Sequence, residues 1–165
     1  MPDLARSIFP RIDASSTPRT WRTNRFAAGV GDHDVWRKTD EQGASTQLDL
    51  FACRCGTLIE TLDLYSAGAS EQMIDKWGKA RGGLDDLAIA TKGRFSPAKG
   101  SHGTSRRGLT RAVEGSLKRL GQEAIDVYFV HGWDRHTPIL ETLATLTDLV
   151  KTGKIHNIGW PNVSG

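Results

Sequence analysis

Four polar side chains in this chain could share one piece of proton-transfer chemistry, Glu60, Tyr65, Lys92 and His131, and Asn162 follows an apolar run as they do. A phenol with a pKa near 10 releases its proton more readily when an ammonium beside it favours the phenolate. A carboxylate next to that ammonium keeps it charged and in place, and an imidazole can hydrogen-bond the oxygen that receives the proton. Tyr65, Lys92, Glu60 and His131 are residues of these four types. Taken singly, each has a simpler reading: a loop aromatic, a surface cation with its stem laid on the protein, a solvated acid, a strand-end histidine with a satisfied ring. Placement groups them, because each lies at or just after the end of an apolar run.

Those runs alternate with helical patterns. Thr57–Leu62 reads as a strand that breaks at Gly68 into a helix over 70–80, with Ser70 and Glu71 at its N-terminus and Met73, Ile74 and Trp77 on its apolar face. Leu87–Thr91 is a continuous apolar strand, of the kind buried on both faces of a parallel sheet, with Lys92 at its end. Ser105–Leu120 places Leu109, Val113, Ser116, Leu117 and Leu120 on one stripe and ends at Gly121. Ile125–Val130 is the next strand, followed by a helix opened by Thr137-Pro138 with Ile139, Leu143, Leu146, Leu149 and Val150 as its apolar face. Ile155–Trp160 is the last strand. Upstream, Thr39–Cys55 reads as an amphipathic helix capped at Thr39 or Asp40, with Leu48, Leu50, Phe51 and Cys55 apolar. Strand–helix repetition implies an α/β fold with a parallel sheet and right-handed crossovers, in which active sites lie at the C-terminal ends of the strands.

The segments that carry these residues resemble the aldo-keto reductases. They are Ile-Glu-Thr-Leu-Asp-Leu-Tyr-Ser-Ala-Gly-Ala-Ser-Glu at 59–71, Ala-Thr-Lys at 90–92, Ser-Leu-Lys-Arg-Leu-Gly at 116–121, Ile-Asp-Val-Tyr-Phe-Val-His-Gly-Trp-Asp at 125–134, Thr-Pro-Ile-Leu-Glu-Thr-Leu at 137–143 and Gly-Lys-Ile-His-Asn-Ile-Gly-Trp-Pro-Asn at 153–162. The resemblance implies a (β/α)8 barrel using NADPH to reduce aldehydes or ketones, with Tyr65 as proton donor, Lys92 tuning it, His131 orienting the substrate and Glu60 where the family has aspartate. It also implies that Asn162 binds the nicotinamide carboxamide, with Pro161 in place of the family's serine. A complete barrel needs roughly 250 residues, so 165 residues imply an incomplete barrel of about four βα units plus a fifth strand. Most of the cofactor contacts would then be missing, and weak or lost NADP binding is expected. A non-catalytic remnant or interaction module of the family is the alternative.

Composition excludes little that this reading needs. A hydrophobic content of 38% with 25% charged residues is ordinary for a soluble domain, and a net charge of +3 is scattered rather than clustered, so no nucleic-acid partner is expected. Cys53 and Cys55 lack the further ligands of a zinc site and read as free, buried or half-buried thiols, with no metal expected. No apolar run reaches the roughly 18 residues of a membrane span, and the N-terminus has no apolar core of a signal peptide. The expected location is therefore the cytoplasm and the expected partner a small carbonyl compound, with self-association through an open barrel edge. Residues 1–38 read as a poorly determined arm, in which the resemblance implies that Phe26–Val30 is a distorted remnant of the family's first strand, and 39–165 as the partial barrel.

Overall fold

The computed structural model of the chain describes residues 20–22, 40–95 and 102–160. Its elements alternate: β1 (Thr20–Arg22), α1 (Glu41–Cys53), β2 (Leu58–Glu60), α2 (Ala69–Arg81), β3 (Ala88–Gly93), α3 (Arg106–Leu120), β4 (Ile125–Val130), α4 (Ile139–Lys151) and β5 (Ile155–Gly159). All strand pairings are parallel, in the spatial order β1-β2-β3-β4-β5. A sheet whose order never reverses keeps its crossovers winding one way, which is the arc of a barrel rather than a doubly wound sheet. The fold is α/β, an incomplete (β/α)8 barrel.

Local chemistry sets most helix ends. Asp40 caps α1, its Oδ1 accepting from Gly43 N at 2.8 Å, and Ser105 caps α3 by accepting from Gly108 N at 3.3 Å. Gly121 closes α3 in the left-handed conformation at φ 63°. The core lies between the sheet and its helices, built from Ile59, Ile89, Tyr128 and Val130 of the strands with Leu48, Ile74, Leu109, Val113 and Leu146 of the helices.

Five expectations change. Thr20–Arg22, placed in the arm by the sequence, is a strand paired with β2, while Phe26–Val30 lies outside the described residues. Ser70 and Glu71 do not cap α2; the cap position is Gly68 at φ 93°, and both side chains are buried. In α1 the inward face is Ala44, Leu48 and Phe51, leaving Leu50 exposed. Helix α4 is turned so that Thr142, Thr145, Leu146 and Leu149 are buried and Ile139, Leu143 and Val150 are exposed. The cause is polar: Thr142 Oγ1 lies 2.9 Å from Thr104 Oγ1 and 3.2 Å from Thr104 O, tying the helix to the segment before α3. Cys53 and Cys55 are free but exposed, at the outer end of α1. No helix among the described residues is long and apolar enough to cross a membrane.

Candidate functional site

Glu60 is the last residue of β2 and Lys92 the penultimate residue of β3. Register pairs Glu60 with Ala90, so Lys92 is its diagonal neighbour on the same face, within reach of long side chains. The two meet as an ion pair, Lys92 Nζ donating to Glu60 Oε1 at 2.5 Å, and both residues are buried at 8% and 9% exposure. An ammonium at this depth needs such a partner, because the cost of removing it from water exceeds what packing returns. Its outer side approaches the Phe129 ring, 5.8 Å from the centroid.

Beyond Glu60 the chain continues the ladder, with Thr61 N and Asp63 N donating to Ala90 O and Lys92 O. It then turns sharply at Tyr65–Gly68, where Ser66, Ala67 and Gly68 have φ of 50°, 55° and 93°. Left-handed backbone at non-glycine residues costs on the order of 1–3 kcal/mol each and concentrates at functional sites. Tyr65, half-buried, opens this turn, five residues beyond Glu60.

His131 follows β4, its backbone N donating to Gly93 O at 3.0 Å. Strand alternation puts it on the face of Phe129, opposite Lys92 in register. Burial first, then the charges of Lys92 and Arg94, hold its pKa below the ordinary 6.5, so the ring is neutral at pH 7. Its Nδ1 is buried without a hydrogen-bond partner, and Phe95 packs edge-on at 5.4 Å. Glu60, Lys92 and His131 thus share the C-terminal face of the sheet, and Tyr65 lies in the turn that follows β2; Asn162 lies outside the described residues.

Residues that the sequence reading did not single out complete this region. Arg94, at φ 146°, lies over Phe95 at 4.2 Å with a buried, unpartnered Nε. Asp134 joins two loops: its Oδ2 accepts from Thr104 N and Thr137 Oγ1, both at 2.9 Å, and its Oδ1 from His136 N at 3.0 Å. Those bonds, led by the Thr104 and His136 amides, lower its pKa to about 2. Positive φ at an arginine and contacts spanning thirty residues leave no local mark in a sequence. Among the described residues no three His, Cys, Asp or Glu side chains gather as a metal would require. A cleft of about 670 Å³ opens between α3 and α4, lined by Arg107 and Arg111 of α3 and by Glu141 of α4.

This chain is similar to reductases and dehydrogenases along the same span. It is 33% identical over 164 residues to norsolorinic acid reductase B of Dothistroma septosporum, covering 93% of this chain and 41% of that protein. It is 32% identical over 141 residues to norsolorinic acid reductase B of Aspergillus parasiticus, covering 79% and 36%. To the aryl-alcohol dehydrogenase [NADP(+)] of Phanerodontia chrysosporium it is 31% identical over 147 residues, covering 81% and 38%. The chain therefore matches about two fifths of the length of these relatives. Parallel strands in sequential order, an ion pair and a histidine at their C-terminal ends, and a family profile spanning residues 27–164 together place the chain in the aldo/keto reductase family.

Proposed function

We propose that this chain carries the proton-transfer half of an NADP-dependent carbonyl reductase, acting on aldehydes or ketones. The buried Glu60–Lys92 pair beside a neutral His131 supports this reading most strongly. His131 as a whole is only half-buried, which fits a ring that meets a carbonyl at this face. NADPH, when bound, supplies the hydride that reaches the carbonyl carbon. Tyr65 gives a proton to the oxygen as negative charge develops there, and Lys92 lowers the cost of leaving Tyr65 as phenolate. A neutral His131 is poorly suited to be that acid; it orients the carbonyl by a hydrogen bond. Glu60 keeps Lys92 charged and in place, and Asn162 is the residue that would hold the nicotinamide carboxamide.

A second reading, a non-catalytic member of the family, is favoured by Glu60 where aspartate is usual and by Pro161, which lacks both a hydroxyl and a backbone N–H. Steady-state reduction of an aromatic aldehyde separates the two. We expect Tyr65→Phe to abolish the activity and Glu60→Asp to raise it, since a shift of about 1 Å in a catalytic group changes rates by up to 100-fold. Unchanged turnover in Tyr65→Phe would remove Tyr65 from its role. Fluorescence titration is expected to show weak NADPH binding by this chain alone; low-micromolar affinity would contradict that expectation.

A further inference from the structure

The face of the sheet behind the Glu60–Lys92 pair is met by the first turn of α2, where Ser70 and Glu71 are fully buried. Ser70 Oγ lies 2.9 Å from Thr61 Oγ1, and Thr91 Oγ1 donates to Glu71 Oε1 at 2.7 Å. Thr61 directly follows Glu60 and Thr91 directly precedes Lys92. Successive side chains of an extended chain point to opposite faces, so each threonine is the reverse-side neighbour of one charged residue. Glu71 is itself held by Arg119, whose Nε donates to Oε2 at 2.6 Å while Nη2 donates to Ser116 Oγ at 3.2 Å. The stem of Arg119 also covers Gly68, where a Cβ would come 2.6 Å from its Cδ, at the end of the Tyr65 turn. A buried ion pair adds little to stability compared with apolar packing of the same volume; its best-attested use is to specify one arrangement over others.

We propose that Ser70 and Glu71 are positioning residues: through Thr61 and Thr91 they set Glu60 and Lys92 from the helix side of the sheet, and Arg119 ties that setting to the turn carrying Tyr65. The proposal rests on the reading of Glu60, Tyr65 and Lys92 as the reacting site. Two consecutive residues of one helix thereby hold two strands at the point where their inward side chains meet. Thr91 makes the cleanest probe, because valine keeps its shape and leaves the Glu71–Arg119 pair intact.

The test reads Lys92 through its neighbour. The His131 ring is titrated by NMR in the full chain and in Thr91→Val, Thr91→Ser, Glu71→Gln and Lys92→Met, with circular dichroism confirming the fold. Lys92→Met is expected to move the His131 midpoint upward, since one of the two cations acting on the ring is gone and Arg94 remains. Thr91→Val is expected to reproduce a substantial part of that movement, and Thr91→Ser, which keeps the hydroxyl, to titrate as the parent. In the aldehyde assay Thr91→Val should lower kcat about tenfold with KM within twofold. A His131 midpoint unmoved by Thr91→Val, while Lys92→Met moves it, overturns the positioning role and leaves the proposed function standing. A midpoint unmoved by Lys92→Met overturns the grouping of Lys92 with His131, and with it both proposals. Full activity in Tyr65→Phe overturns the functional reading alone, because the titration does not depend on turnover. Should Glu71→Gln fail to fold, the two Thr91 variants decide the matter.

Discussion

Asp134 shows how one side chain can hold a site it does not belong to. Its carboxylate accepts the Thr104 and His136 amides and the Thr137 hydroxyl, so the segment before α3 and the loop after His131 share one anion. Its pKa falls from 3.8 to about 2 on folding. A depressed carboxylate contributes stability that is fully present above 3.8 and is lost as pH falls toward 2. Asp134→Asn is expected to lower stability at pH 7 by about 1–3 kcal/mol, because buried donors lose a charged acceptor. It should also flatten the dependence of the unfolding midpoint on pH between 4 and 2, which thermal melts across that range measure. His131 has the same sign for a different reason: burial and two neighbouring cations favour its neutral ring. Its contribution is complete above 6.5 and is lost as pH falls through its lowered pKa.

The Tyr65–Gly68 turn is the element on which the proton donor depends. Three successive residues with positive φ make it one turn of left-handed backbone, and only the third is glycine. Gly68 cannot be replaced cheaply, since a Cβ there meets both the φ of 93° and the stem of Arg119. Ala67 has the opposite character: it is exposed, and its φ of 55° is the part of the strain that glycine relieves. Ala67→Gly is expected to stabilise the chain by about 1 kcal/mol, the lower end of the cost of left-handed backbone. Urea unfolding measures it, and a loss of stability would show that the unfolded-chain entropy of glycine outweighs the relieved strain. Because the turn presents Tyr65, the same variant tests whether that strain serves the site: a more stable chain with lower turnover would link the two.

At the scale of the whole molecule, the sheet has two edges. Among the described residues β5 pairs with β4 on one side only, and Ile158 on it is 44% exposed. Next to it, Trp133 and Trp160 lie 6.3 Å apart with Trp133 exposed, and α4 shows Leu140 and Leu143 to the outside. Unpaired strand backbone beside apolar side chains is a template for association. We expect this chain on its own to form dimers or larger species at tens of micromolar, read by light scattering during size-exclusion chromatography. A monomer that unfolds cooperatively at that concentration would mean that the edge is covered by residues outside those described. Glu60, Lys92 and His131 sit on the strand-end face rather than on this edge, so association and site chemistry can be separated by variants at Leu140 and Leu143.

Much of the architecture follows from the sequence alone, because it depends on interactions within a few residues. Caps at Asp40 and Ser105 and the stop at Gly121 are local hydrogen-bond and φ requirements, and apolar runs at Ile125–Val130 and Leu87–Thr91 mark strands whatever they pair with. The polar residues at the ends of those strands were legible for the same reason. What tertiary structure decided is every relation across a longer separation. Register set Lys92 diagonal to Glu60, thirty-two residues away, and brought the two charges into contact. Ser70 and Glu71 have the composition of a helix start, yet a glycine holds the cap position and the two side chains turn inward to Thr61, Thr91 and Arg119. Helix α4 has more leucine than it buries, and which face turned inward was settled by Thr142 bonding Thr104, thirty-eight residues back. A periodic pattern states that a helix has an apolar face; hydrogen bonds between distant polar groups, costly to leave unmade once buried, choose which face it buries.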